Sequence, residues 1–155
     1  MSKKTWLREF YPTPADRFSP DNDLPHTALE TVRHSLRKWE GLTKENLDKH
    51  GLFRSPFGSD TLLWRRDDTE LGAYDEKVIT VNSTSCSLCM KYYNIALYDA
   101  CELCPLAKSL GRSCARQKVS GILSTYGQFT INENPLPMIE ALKETERKLI
   151  EGEIE

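Results

Sequence analysis

Apolar residues recur at helical spacing near both ends of the chain and at strand spacing between them. Leu29, Val32, Leu36 and Trp39 lie three or four residues apart and share one helical face. Thr27 with Glu30 three residues later supplies both halves of a capping box, and Gly41 stands beyond the last periodic position. A second short helix has Thr43 as its cap, Leu42 and Leu47 at hydrophobic-staple positions, and Gly51 after its last turn. Together they predict an N-terminal helical pair. The other face of the first helix carries Arg33, Arg37 and Lys38, which read as solvated charges on an amphipathic helix. Ahead of the pair, Pro12, Pro14 and Pro20 stand among Tyr11, Thr13, Asp16 and Ser19, a density of φ-locked and turn-favouring residues that predicts an extended arm over residues 1–22. Trp6, Leu7, Phe10 and Tyr11 would pin that arm.

After residue 58 the period changes. Residues 61–65 and 77–81 read as two strands around a polar stretch containing Asp67, Asp68 and Gly72, a β-hairpin with a long turn. Pro105, followed by five residues and then Gly111, has the form of a short helix with Cys104 at its N-terminus. Val119, Ile122, Leu123 and Tyr126 fall on one helical face for two turns, and residues 134–137 open a final helix that turns Ile139, Leu142 and Leu149 inward. The fold class expected is α+β: a small single domain over residues 23–150 with a helical pair, a β-hairpin, a four-cysteine zinc site and C-terminal helices. Residues 151–155 read as a fraying acidic tail.

The length of 155 residues suits one domain with a real core. A net charge of −2 with 28% charged residues gives no overall electrostatic footprint for nucleic acid or a membrane surface, so either role would need a local patch. The chain has no run of 18 apolar residues and opens on Met-Ser-Lys-Lys-Thr without a leader-like apolar segment. A soluble, cytoplasmic protein with no membrane partner is the expectation.

That expectation changes how the cysteines are read. All five lie between positions 86 and 114, as Cys86 and Cys89, then Cys101 and Cys104, then Cys114. In a reducing compartment, two Cys-x2-Cys loops are metal-ligand spacing before they are disulfide spacing, because each loop sets two sulfurs on one side of a tight turn. Cys86, Cys89, Cys101 and Cys104 are the symmetrical ligand set for Zn2+, and Cys114 can replace Cys101 if residues 105–110 do not carry it away. Unliganded buried thiols and an iron–sulfur cluster are the competing readings. His26, His34 and His50 show no ligand spacing and read as surface or cap residues. A full thiolate set leaves no open position for water, and no phosphate loop, His-Glu-x-x-His or Gly-x-Ser-x-Gly is present, so the balance leans away from an enzyme.

Residues 31–42, Thr-Val-Arg-His-Ser-Leu-Arg-Lys-Trp-Glu-Gly-Leu, with Glu45-Asn-Leu-Asp-Lys-His-Gly51 after them, resemble the opening of short uncharacterised proteins common in bacteriophages and prophages. Ser85-Cys86-Ser87-Leu88-Cys89, then residues 101–106, Gly111 and Cys114, are similar to their central segment, and residues 137–142 to their C-terminal helix. The likeness spans about residues 28–145 by motif order. Ser124-Thr125-Tyr126 departs from the Ser/Thr-Pro-Tyr usual in that group. The resemblance implies a zinc-binding phage or prophage accessory protein without catalysis, working in the host cytoplasm. Two roles follow: a module for protein–protein interaction with a host or defence component, and, as the alternative, a nucleic-acid-binding module using the basic segment 108–118 with Lys108, Arg112, Arg116 and Lys118.

Overall fold

The structure, a computed structural model, describes residues 3–21, 26–55, 58–64, 76–93, 101–115, 118–119 and 122–155. Helix α1 (Lys3–Phe10) and a 3-10 turn (Ala15–Phe18) precede α2 (Ala28–Glu40) and α3 (Lys44–His50). The capping box forms as read from the sequence: Thr27 Oγ1 accepts from the Glu30 N–H at 3.1 Å, and Glu30 Oε2 accepts from the Thr27 N–H at 2.9 Å. Val32, Leu36 and Trp39 are buried, as are Leu42 and Leu47 of the staple, and Gly51 closes α3 in the left-handed region at φ 72°.

The extended arm over residues 1–22 is corrected. Its prolines all follow residue 10, so nothing in residues 3–10 opposes a helix, and Trp6 and Phe10, four apart, form a buried stripe on it. Trp6 also donates its indole N–H to the Gly41 carbonyl at 2.9 Å, which ties α1 to the end of α2.

The expected hairpin pairs β2 (Gly58–Trp64) with β3 (Glu76–Thr80), antiparallel, with the intervening turn outside the described residues. A further strand, β1 (Leu52–Ser55), adds to β2 and makes the sheet order β1-β2-β3. Its four residues are too few to carry a period. Beyond a 3-10 turn (Ser83–Ser85) come α4 (Ser87–Tyr92), α5 (Pro105–Leu110), the short antiparallel pair β4 (Lys118–Val119) and β5 (Ile122–Leu123), α6 (Thr125–Asn132) and α7 (Leu136–Ile150). Helix α5 is as expected, with Pro105 in its first turn and Gly111 past its end at φ 72°.

The helical face assigned to residues 119–126 is a second correction. Ser124 Oγ accepts from the Gly127 N–H at 2.9 Å, so the helix begins at Thr125, and the apolar residues before it belong to β4 and β5. The acidic tail is a third. Arg147 bonds Glu144, Glu151 and Glu153, the Glu153 N–H reaches the Lys148 carbonyl at 2.9 Å, and Lys108 Nζ donates to the Glu155 carbonyl at 3.1 Å. The end of the chain is folded back rather than frayed.

The architecture is α+β. Helix α2 runs through the middle of it, packed on α7 and touching α1, α4 and α5. Trp39 meets the Phe129 ring edge-on at 5.0 Å, and Met138, Ile139 and Leu142 of α7 complete that side of the core. Among the described residues no helix is long and apolar enough to cross a membrane.

Gly41 is required by space and not by its φ of −69°: a Cβ there would stand 2.5 Å from Phe10 Cγ. Gly41→Ala is therefore expected to force α1 off α2 and to destabilise the protein by about 1–3 kcal/mol in urea unfolding. A midpoint equal to wild type would show that α1 is not packed there.

Candidate metal centre

Three stretches of backbone bring the cysteines together. In the first, Asn82 caps the 3-10 turn, whose last residue, Ser85, leads into Cys86 at the N-cap of α4, with Cys89 in that helix's first turn. Two buried hydrogen bonds hold this loop to α2: Ser87 Oγ donates to the Thr31 carbonyl at 3.0 Å, and Lys38 Nζ donates to the Ser85 carbonyl at 3.0 Å. In the second stretch, the Cys104 N–H bonds the Cys101 carbonyl at 2.9 Å, closing a turn that ends with Cys104 at the N-cap of α5. In the third, the Cys114 carbonyl accepts from the Tyr126 N–H at 3.1 Å and from Thr125 Oγ1 at 3.4 Å, so the start of α6 fixes Cys114.

All five cysteines, free of disulfides, line one cavity of about 20 Å³, with Leu88, Tyr93, Leu106 and Ala107 around them. That volume holds one water-sized body. No group of three or more His, Cys, Asp or Glu among the described residues is already drawn up to hold a metal ion. The cysteines line a common space without being drawn in to a shared centre, and two of them, Cys86 and Cys89, are hydrogen-bonded to each other.

The electrostatics follow from that bond. It holds Cys86 well below the usual thiol range, helped by the Lys38 ammonium and by the N–H groups of Cys89 and Leu88, and it raises Cys89, which carries the proton. Burial pushes Cys104 up to about 11 against the opposing pull of the Ala107 and Leu106 N–H groups. Burial also raises Cys114, with Cys86, Cys104 and Cys101 adding to it. The six pairs among Cys86, Cys89, Cys104 and Cys114 all act on one another in this way. Cys101 acts on Cys104 and Cys114, and its sulfur lies 3.6 Å from Ser113 Oγ.

Lys38 is the residue that the sequence misplaced. Read as a solvated charge beside Arg33 and Arg37, it is 1% exposed, while those two arginines are exposed as expected. Thr31, Ser35 and Lys38 form a second buried stripe on α2, and the small polar residues at its first two positions were the only sign of it. Burial lowers the Lys38 pKa, and Cys86, Cys89 and Cys114 oppose that shift. His50 is likewise no surface residue: it is buried, with Nδ1 2.9 Å from Thr5 Oγ1 and Nε2 3.0 Å from Glu9 Oε2. His34 sits half-buried against the Thr13 carbonyl. Of the basic segment, Lys108 reaches the Glu155 carbonyl and Arg112 is half-buried, whereas Arg116 and the Lys118 side chain lie outside the described residues.

Comparison with protein-family models, with curated proteins and with solved structures gives no match.

In the metal-free protein, the Cys86 thiol is expected to titrate well below those of Cys89, Cys104 and Cys114, because Cys86 combines a thiol donor, backbone N–H groups and an ammonium. Ultraviolet thiolate absorbance followed against pH should lose that low step in Cys86→Ser and keep it in Cys104→Ser. The same step in both variants would remove the assignment.

Proposed function

We propose that the chain is a non-catalytic zinc-binding module that serves a protein partner. The observation that carries the reading is the convergence of five cysteines, from three separate stretches, on a cavity with room for one ion. Space for a single ion favours zinc over an iron–sulfur cluster, and four thiolates with no open position suit a structural ion. Zinc would draw the sulfurs inward by rotation about their side-chain bonds and replace the thiol–thiol hydrogen bond with metal bonds. Its binding energy would then enter the folding energy of a chain whose cysteine region is otherwise built from short elements.

For the ligand set, sequence symmetry favours Cys101, whereas Cys114 also lines the larger cavity beside Lys38 together with Cys86 and Cys89, which favours Cys86, Cys89, Cys104 and Cys114. We adopt the second set, with Cys101 beside it. A protein partner is favoured by the exposed apolar side chains at this end of the molecule: Tyr93, 57% exposed, borders the cavity, and Leu103, 47% exposed, stands between Cys101 and Cys104. The resemblance to phage and prophage proteins makes a host or defence component the class of partner to try first.

Purified protein should carry about one zinc per chain and be colourless. Cys86→Ser, Cys89→Ser, Cys104→Ser and Cys114→Ser should each lose the metal, while Cys101→Ser keeps it. Because Cys89, Cys104 and Cys114 are all raised in the metal-free state, protons compete with the ion and zinc should leave as the pH falls below neutral. Elemental analysis without zinc, or a brown protein with iron and sulfide, would sink the reading. Zinc lost from Cys101→Ser but kept by Cys114→Ser restores the symmetrical set.

The double variant Arg112→Glu, Arg116→Glu should keep its zinc, since it removes no cysteine, while losing the partner captured from host lysate by the metal-loaded protein. Strong retention of the wild type on heparin or DNA resin at moderate salt, abolished in this variant, would make nucleic acid the partner instead.

A further inference from the structure

We propose that Lys38 is the built-in counter-cation of the cysteine site, an ammonium that α2 delivers to its buried side to offset the negative charge of the metal-bound thiolates. The inference rests on the zinc reading and deepens it. Lys38 lies in the last turn of α2 with 1% of its surface exposed, and no ion pair among the described residues includes it. Its ammonium donates to the carbonyl of Ser85, the residue before Cys86, at 3.0 Å, and lies 5.7 Å from the centre of the Trp39 ring. One carbonyl and one ring edge or face are poor compensation for a buried charge, which is costly unless a counter-charge stands near it.

The counter-charge is at hand. A cavity of about 280 Å³ is lined by Lys38 together with Cys86, Cys89 and Cys114, so the lysine and three of the cysteines border one space. A divalent ion in four thiolates is a net dianion, and such a group is as expensive to bury as a lone ammonium. Each charge lowers the other's penalty. The remaining donors of the ammonium point to the same conclusion, because a lysine has three and Ser85 takes one. Outer-shell groups of this kind commonly alter metal affinity tenfold or more.

The consequence is an effect largely confined to the metal-loaded state. Without metal, Lys38 faces at most the single thiolate of Cys86; with metal, it faces a dianion and stabilises the site more. Lys38→Met, which keeps the length and removes the charge, should therefore weaken zinc binding about tenfold or more in chelator competition, while the metal-free protein loses less stability in urea than the metal-loaded one. Lys38→Gln, which keeps a donor for Ser85, should weaken zinc binding similarly. Cobalt(II) substituted into either variant should show the thiolate charge-transfer bands of the wild type, proving the ligands unchanged. Wild-type zinc affinity in both variants overturns the proposal and leaves the zinc reading intact. So does a Lys38→Gln protein with wild-type affinity, which would assign the role to the hydrogen bond, or a metal-free Lys38→Met protein that is less stable by as much as the metal-loaded one, which would assign it to packing. A wild-type protein that takes up no zinc overturns both.

Discussion

Two buried hydrogen bonds from opposite directions clamp α2 to the first cysteine loop. Ser87 on the loop donates to the Thr31 carbonyl near the start of the helix, and Lys38 near its end donates to the Ser85 carbonyl on the loop. Because Thr31 and Lys38 are two turns apart on one helical face, the loop is held at both ends along the helix axis. Helix α2 is also the element against which α7, α1 and α5 pack, so the position of Cys86 and Cys89 is fixed by the same helix that organises the core. The second pair of cysteines reaches this frame through α5, whose Leu106 is buried in the core, and Cys114 reaches it through the start of α6.

This arrangement places polar chemistry where a small domain usually places only apolar side chains. Burial raises Cys104 and Cys114, while Cys86 is held low by a neighbour's proton, backbone N–H groups and the Lys38 ammonium. The cluster is thus divided between one sulfur prepared to carry charge and others that resist it. Under the zinc reading, the ion supplies the charge that lets the rest ionise, and Lys38 limits what is left over. The buried His50 is held differently: its two ring nitrogens are both satisfied by Thr5 and Glu9 on α1, and it serves to hold that helix against α3.

The C-terminus is held by a different means. Arg147 gathers Glu144, Glu151 and Glu153 at the end of α7, and Lys108 and Lys148 bond carbonyls of Glu155 and Ser109, so α5 and the chain terminus are stitched together through exposed charges. Exposed pairs of this sort contribute little each, and their effect here is orientation more than stability. Tyr93 and Leu103 beside the cysteine loops stay exposed, which is why that surface is the one on which a partner is sought.

Where an element announces itself by local chemistry, the sequence alone determined it. The capping box of α2, the Thr43 and Gly51 limits of α3, the Pro105 and Gly111 limits of α5 and the inward face of α7 all depend on residues a few positions apart, and β2 and β3 each show as a short apolar run of their own. The clustering of the cysteines was legible for the same reason, since each loop closes within four residues. Helix α1 was obscured because prolines that follow it were allowed to speak for residues that precede them, and residues 119–126 because a helix and a short hairpin can show the same spacing over so short a span. Only the tertiary structure decided that Lys38 is inside, that Cys114 shares the cavity of the other four and that the C-terminal tail folds back. Each of these depends on a partner more than ten residues away in sequence, such as Ser85 for Lys38 or Tyr126 for Cys114, and no local pattern of hydrophobic and polar positions encodes such a partner.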